Sequence, residues 1–310
     1  MPFSLERKLL TNFKCGTNPV IHHLHLDKIL FPKISFGRER YIKFSKAQAL
    51  ERMKLGDDSD RRDFFYYLLK AKDPETGAGF SMPELWGESN LLIIAGSDTT
   101  STALAASFFY LIHSESELQK VTKEVRDTFE DIEEIQAGPK LSSCTYLRAV
   151  IDESMRLSPP VGGLLPREAL EGGITVDDES LPAGVVVGTP HYTIHHNPAY
   201  FPSPFTFNPS RWIADSSPSI TADSVALARS AFCPFSIGPR GCIGKGMAYT
   251  ELSMALARTL WLYDMRLAPG MRVGEGDRDL EFGRHRATEY QLRDSFTSLK
   301  DGPIVEFRRR

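Results

Sequence analysis

Cysteine is scarce in this sequence and shows no pairing pattern. Cys15, Cys144, Cys233 and Cys242 are scattered through 310 residues without a C-x-x-C, which excludes a zinc ribbon or a disulfide framework and points to a reducing compartment. Charge of one sign is lacking as well. With 37 Lys and Arg against 40 Asp and Glu the net charge is -3, so there is no global basic field and nucleic acid is not expected as a partner. The opening MPFSLERKLLTNFKCG has neither the order of a signal peptide nor an apolar run long enough to span a bilayer, so no anchor is expected from it. Internal repeats and low-complexity tracts are missing. One long apolar run does occur, from Ser89 to Ile112, with Asp98 as its only charge beside Thr99 and Thr100. A mid-membrane aspartate costs about 2.5 to 3.5 kcal/mol, so the run is expected to be a buried core helix.

What is present is ample apolar material, 41% of the chain, enough for one large domain or two ordinary ones. Gly37 to Met53 has helical spacing with mixed charge and predicts an exposed helix closed by the polar turn GDDSD. Asp63 to Lys72 predicts a second helix, ended by DPETGAGF. Ser81 and Pro83 open the long apolar helix, which should run to about His113. Ser114 to Phe129 places Leu118, Val121 and Val125 on one face of an amphipathic helix, and Cys144 to Leu157 forms another, stopped by Pro159 and Pro160. The segments LLPREAL, GGITVDD and AGVVVGTPHYTI then predict short strands of a small sheet. A long helix is expected over Ile243 to Tyr263, and a strand pair around LKDGPIVEFRRR closes the chain.

Chemistry concentrates in Phe235 to Gly244, FSIGPRGCIG, with fixed residue types at F-x-x-G-x-R-x-C-x-G. Gly238 and Gly241 permit a tight turn that would aim backbone N–H groups at whatever Cys242 carries, and such donors stabilise a thiolate. The helix that follows lowers a thiol pKa through its dipole. Gly244 leaves room for a flat macrocycle, Arg240 offers a fork of donors to a carboxylate such as a haem propionate, and Phe235 is expected to cover the sulfur. Cys233 lacks the flanking glycines and is expected to be inert. His22, His23 and His25 form an HHLH run without acidic or cysteine partners at ligand spacing and are expected to be an exposed loop, not a metal site. His191, His195 and His196 are expected to be structural.

The pattern around Cys242 resembles the haem-ligand loop of the cytochromes P450, with Cys242 in the place of the axial cysteine. AGSDTT, Ala95 to Thr100, is similar to that family's oxygen-activation sequence; by itself it would be an ordinary polar patch whose hydroxyls bond one turn back. The resemblance implies proton handling by Asp98 and Thr99, and a groove opened by Gly96. Glu153 and Arg156 stand at i and i+3 on one helix face, and FNPSRW supplies Arg211; in the family such residues close a buried network near the cysteine loop. Arg167 in LLPREAL matches a strand arginine that contacts a haem propionate in relatives.

The resemblance covers Asp63 to the C-terminus and is closest to fungal-type members. It implies a mainly α fold with small β-sheets, the C-terminal two-thirds of the P450 fold, with a long central helix over haem and the cysteine loop leading into a second long helix. Residues 1–62 are expected to be a partial N-terminal helical region and 63–310 the haem-binding core, an N-terminally truncated arrangement. The implied activity is a haem-thiolate monooxygenase that inserts one oxygen atom from O2 into a lipophilic small molecule, in the setting of fungal secondary metabolism, with haem b (iron protoporphyrin IX) as cofactor and electrons from NADPH through a reductase. Val161 to Leu165 and the region near Phe296 are expected to shape the substrate site, and Lys245, Arg148 and Lys120 to lie toward the reductase. The resemblance implies the cytosolic face of the endoplasmic reticulum membrane, although no anchor is expected from the opening residues. The alternative is a haem-binding remnant without turnover.

Overall fold

The computed structural model describes residues 32–55 and 62–310. The polar turn at residues 56–60, the His22, His23 and His25 run and Cys15 lie outside them. Packing divides the chain into two compact units, Met1–Ser97 and Asp98–Arg310.

In the first unit, α1 (Pro32–Lys54) begins before the predicted Gly37, because Pro32 is tolerated in a first helical turn that its ring pre-shapes. Of its described side chains only Ser45 and Ala49 are buried, one turn apart, as an exposed helix requires. Helix α2 (Phe64–Lys70) starts one residue inside the predicted segment: Asp63 is its N-cap, and its carboxylate accepts the Tyr66 N–H. DPETGAGF folds back through a bridge between Lys72 and Gly79, with Gly77 at a φ of +70° that a side chain would resist. Helix α3 (Met82–Ile112) follows. The carboxylate of Glu84 accepts both the N–H and the hydroxyl of Ser81, at 2.7 Å each.

By length and composition α3 is the helix among the described residues that is apolar enough to cross a membrane. The buried-core expectation holds for its second half, where Ala103, Ala106, Phe109, Tyr110 and Leu111 are buried. It fails for the first half, where Leu85 and Ser89 share one buried face and Leu91 and Ile94 stay exposed.

The second unit is built on α4 (Glu115–Thr128), α6 (Thr145–Leu157) and α9 (Lys245–Leu262), with the one-turn helix α5 (Pro139–Ser142) between the first two. Val121 and Val125 of α4, Leu147, Ile151 and Met155 of α6, and Leu252, Leu256 and Leu260 of α9 interdigitate in one apolar cluster. Their spacing of three and four residues is the helical stripe read from the sequence. Strands β1 (Arg167–Glu168) and β4 (Val186–Val187) pair antiparallel, and β2 (Ile174–Val176) and β3 (Glu179–Leu181) form a separate hairpin. The expected single sheet is therefore two two-stranded pieces. The third predicted strand also ends early, since Pro190 has no N–H for a ladder and caps the short helix α7 (His191–His195) instead.

A 3-10 turn, Pro209–Trp212, precedes α8 (Ala222–Ala231), whose Thr221 and Ser224 form a reciprocal capping box. The C-terminal strand does not pair locally as expected: β6 (Val305–Arg309) lies antiparallel to β5 (Tyr263–Leu267), with Met265 opposite Phe307. Helix α9 therefore stops at Leu262, and the residue expected to end it, Tyr263, begins β5.

Candidate functional site

The segment before α9 is a tight turn. The Ser236 N–H donates to the Cys233 carbonyl at 2.9 Å, the Gly241 N–H to Gly238 O at 2.9 Å, and the Cys242 N–H to Phe235 O at 2.8 Å. Gly238 has φ +68°, and a Cβ on Gly241 would stand 3.1 Å from Gly238 O, so each glycine is needed for a different reason. The N–H groups of Gly241 and Cys242 are thus spent inside the turn. Donors toward the sulfur are left to the first turn of α9, whose N–H groups have no intrahelical acceptor. Gly244 is the N-cap of α9 with an ordinary φ of -82°. A Cβ there would meet only Cys242 Sγ, at 3.8 Å. Space beside the sulfur, and not backbone strain, is what this glycine provides.

Cys242 is exposed, and so are its apolar neighbours Ile237 and Ile243, at 78% and 93%. Two isoleucines turned outward on either side of the thiol in sequence leave exposed apolar surface of the kind that marks a contact with a ligand or partner. The Phe235 ring is half-buried and lies 5.0 Å from Tyr249. Arg240, in the 3-10 turn Gly238–Arg240, is exposed; Arg167 is exposed on β1 and donates to the Pro166 carbonyl at 2.8 Å. Among the described residues neither arginine has an ion-pair partner, whereas Arg52, Arg126, Arg148, Arg156, Arg211 and Arg272 are all paired with carboxylates. The thiol, the space beside it, the exposed isoleucines and the Arg240 guanidinium two residues before Cys242 have the chemistry that a macrocycle bearing carboxylates calls for. Among the described residues no cluster of three or more His, Cys, Asp or Glu could hold a metal.

Behind the turn stands a buried ion cluster. Arg156 grips Glu153 through Nε and Nη2, both at 2.9 Å, and Arg211 Nε joins at 3.0 Å. Trp212 Nε1 and the Asn208 N–H also donate to this carboxylate, each at 3.0 Å. Burial alone would raise the Glu153 carboxyl, but the Arg156 charge and hydrogen bonds, then Arg211, hold it below its ordinary range. Arg156 Nη1 reaches the carbonyls of His195 and Pro204. Next door, Asp152 is buried, paired with Arg148 at 3.0 Å and bonded by Tyr249 Oη at 2.7 Å. Burial pushes its carboxyl up. Arg148 and Lys120, read from the sequence as reductase-facing, are thus engaged with Asp152 and Glu117.

On α3, Asp98 and Thr99 are half-buried in the second unit. The Thr297 hydroxyl donates to Asp98 Oδ2 at 2.5 Å and Lys300 Nζ lies 3.7 Å from Oδ1. The Thr102 hydroxyl bonds the Asp98 carbonyl one turn back. Gly96 belongs to the first unit, and a Cβ on it would meet nothing within 4 Å. The segments after α6 and before β6 meet, the Ser298 N–H donating to Pro160 O at 2.8 Å; of Val161 to Leu165, expected at the substrate site, Gly162 and Gly163 help line an open cavity of about 360 Å³, together with Pro159, Asp294 and Ser298. No local pattern marks Thr297 and Lys300, about 200 positions from Asp98, or the contacts of His195. FNPSRW contains Trp212, but nothing in that segment marks it as the donor to Glu153.

A family model described as cytochrome P450 matches residues 35–289. The cytochrome P450 monooxygenase AKT7 of Alternaria alternata is 48% identical over 288 residues, covering 92% of this chain and 55% of that protein. The cytochrome P450 monooxygenase apf8 of Gibberella fujikuroi is 40% identical, covering 96% and 80%. Among solved structures, retinoic acid bound cyanobacterial CYP120A1 superposes with a TM-score of 0.70 at 24% identity, over 91% of this chain and 58% of that one, a likeness of fold. The chain spans little more than half the length of several of the curated relatives it matches.

Proposed function

The chain belongs to the cytochrome P450 family, and from that premise we propose that it is the haem-thiolate part of a monooxygenase that inserts one oxygen atom from O2 into a lipophilic small molecule. The observation that carries this reading is the exposed Cys242 with open space at Gly244 and an apolar rim of Ile237 and Ile243. Cys242 would hold the iron as a thiolate, and Arg240 and Arg167 would meet the propionates. Haem b, when bound, supplies the reductive activation of dioxygen, which a thiolate ligand favours.

The protein's own part is positional and protonic. Asp98 Oδ2 and Thr99 Oγ1 would take protons from solvent and pass them inward, with Thr297 fixing the carboxylate. Glu153, Arg156 and Arg211 hold the segment that leads to the cysteine turn and touch no reacting atom. Val161 to Leu165 and the region near Phe296 would shape the substrate side, where Gly162, Gly163, Asp294 and Ser298 help line a cavity. Electrons are proposed to come from NADPH through a reductase, at the cytosolic face of the endoplasmic reticulum membrane. The fungal origin of the relatives supports a role in fungal secondary metabolism.

The test supplies the chain with haem, a fungal NADPH-dependent reductase and isotopically labelled O2 over a panel of lipophilic compounds. Incorporation of one labelled oxygen atom into a product is expected. Haem binding without product from any compound, while a full-length relative turns over in parallel, would replace this reading with haem binding alone.

A further inference from the structure

His195 is fully buried on α7, edge-on to Phe201 and tilted over Phe232. Its Nε2 accepts the N–H of Cys233 at 3.0 Å. An imidazole that accepts at Nε2 must be neutral and carry its proton on Nδ1. Nδ1 is buried and has no hydrogen-bond partner among the described residues, an arrangement that costs stability. Burial pushes the His195 pKa down to about 3, with the charges of His191 and Arg156 adding to the effect, so the acceptor form is the one present at neutral pH.

The bond it makes is placed at a junction. Cys233 is the first residue of the turn that ends at Cys242, and its carbonyl accepts the Ser236 N–H at 2.9 Å. On the other side, the His195 carbonyl accepts Arg156 Nη1 at 2.8 Å, and Arg156 is locked on Glu153. One residue therefore joins the buried ion cluster, through its backbone, to the start of the ligand turn, through its ring. We propose that His195 is a positioning residue for the iron ligand: its neutral Nε2 fixes the N-terminal end of the Cys233–Cys242 turn, and the register of the Cys242 sulfur depends on it. The inference rests on the haem-thiolate reading for its second half only; the fixing of the turn stands by itself.

Two variants separate the acceptor from the bulk of the ring. His195→Gln keeps an acceptor at the Nε2 position, and His195→Leu keeps similar volume without one. The full chain is expressed with haem, and two quantities are read: hydrogen exchange of the amides of Cys233, Phe235 and Ser236, and the Soret position of the dithionite-reduced carbon monoxide complex. The expected result is loss of protection at Cys233 by about tenfold or more in the Leu variant, with a share of its carbon monoxide band moving to the unshifted position, and near wild-type values for Gln. Equal values in Leu and wild type would overturn the proposal. So would equal losses in Gln and Leu, which would assign the effect to packing. Should the Leu variant not fold, wild-type exchange decides: Cys233 is expected to be protected like the amides of α6, and exchange at the rate of an exposed loop would overturn the proposal. If wild type shows no red-shifted band at all, the haem-thiolate reading fails, while the exchange data still decide whether His195 fixes the turn.

Discussion

A carboxylate with no access to water has to spread its charge over donors, and Glu153 does so over two guanidiniums, an indole N–H and a backbone N–H. Removing one partner leaves a buried charge unpaired, so Arg156→Leu is expected to cost about 3 to 5 kcal/mol in urea unfolding, far more than any of the exposed pairs. The same interior sets a pH dependence. Burial holds His195 at about 3 and His196 at about 4, well below an unfolded value near 6.5. Between those limits the unfolded chain binds more protons, so stability falls as pH drops below 6.5, by about 2 kcal/mol for each histidine at pH 5. Asp152, raised by burial, acts with the opposite sign only near its own range. Urea midpoints should therefore fall from pH 7 to pH 5, less steeply in His195→Gln; a flat profile would contradict the burial of these rings. At Asp98 the expectation is kinetic: Asp98→Asn should keep haem content and fold but lower product formation about 10²- to 10⁴-fold, with reducing equivalents diverted to peroxide. How much of this was legible depended on sequence distance. Glu153 and Arg156 read as a pair because they are three residues apart on one helix, whereas Thr297 and Lys300 at Asp98 come from the far end of the chain and no local pattern announces them.

At the scale of elements, the N-terminus of α9 is where sequence pattern and geometry meet most closely. Gly244 caps it without needing glycine's backbone freedom. Serine is a preferred N-cap, so Gly244→Ser should leave thermal stability unchanged or slightly higher. Its side chain would fill the space beside Cys242, and haem affinity should drop at least about tenfold, about 1.4 kcal/mol, in a haem titration of the apoprotein. Loss of stability with unchanged affinity would mean the glycine serves the backbone after all. Helices α4, α6 and α9 were readable because their buried residues recur every three or four positions. The β5–β6 pairing was not, since Met265 and Phe307 face each other across a long irregular segment, and alternation in one strand does not name its partner. The β-forming residues of HYTI predict a strand where helix α7 stands; Pro190 before it removes the ladder N–H and overrides that propensity.

For the whole molecule, the residues that matter to the proposed chemistry lie mostly in the second compact unit, from Asp98 and Thr99 on the start of its share of α3 to Cys242 before α9. That unit carries the shared helical core and the ion cluster, and the cysteine turn packs against that core through Phe235. The central claim is that this scaffold presents Cys242 as a thiolate to haem iron. Its most direct test is the carbon monoxide difference spectrum of the dithionite-reduced, haem-supplied protein beside Cys242→Ala. A strongly red-shifted Soret band that disappears in the variant is the predicted result; an unshifted band in both proteins, or no band in either, would contradict it.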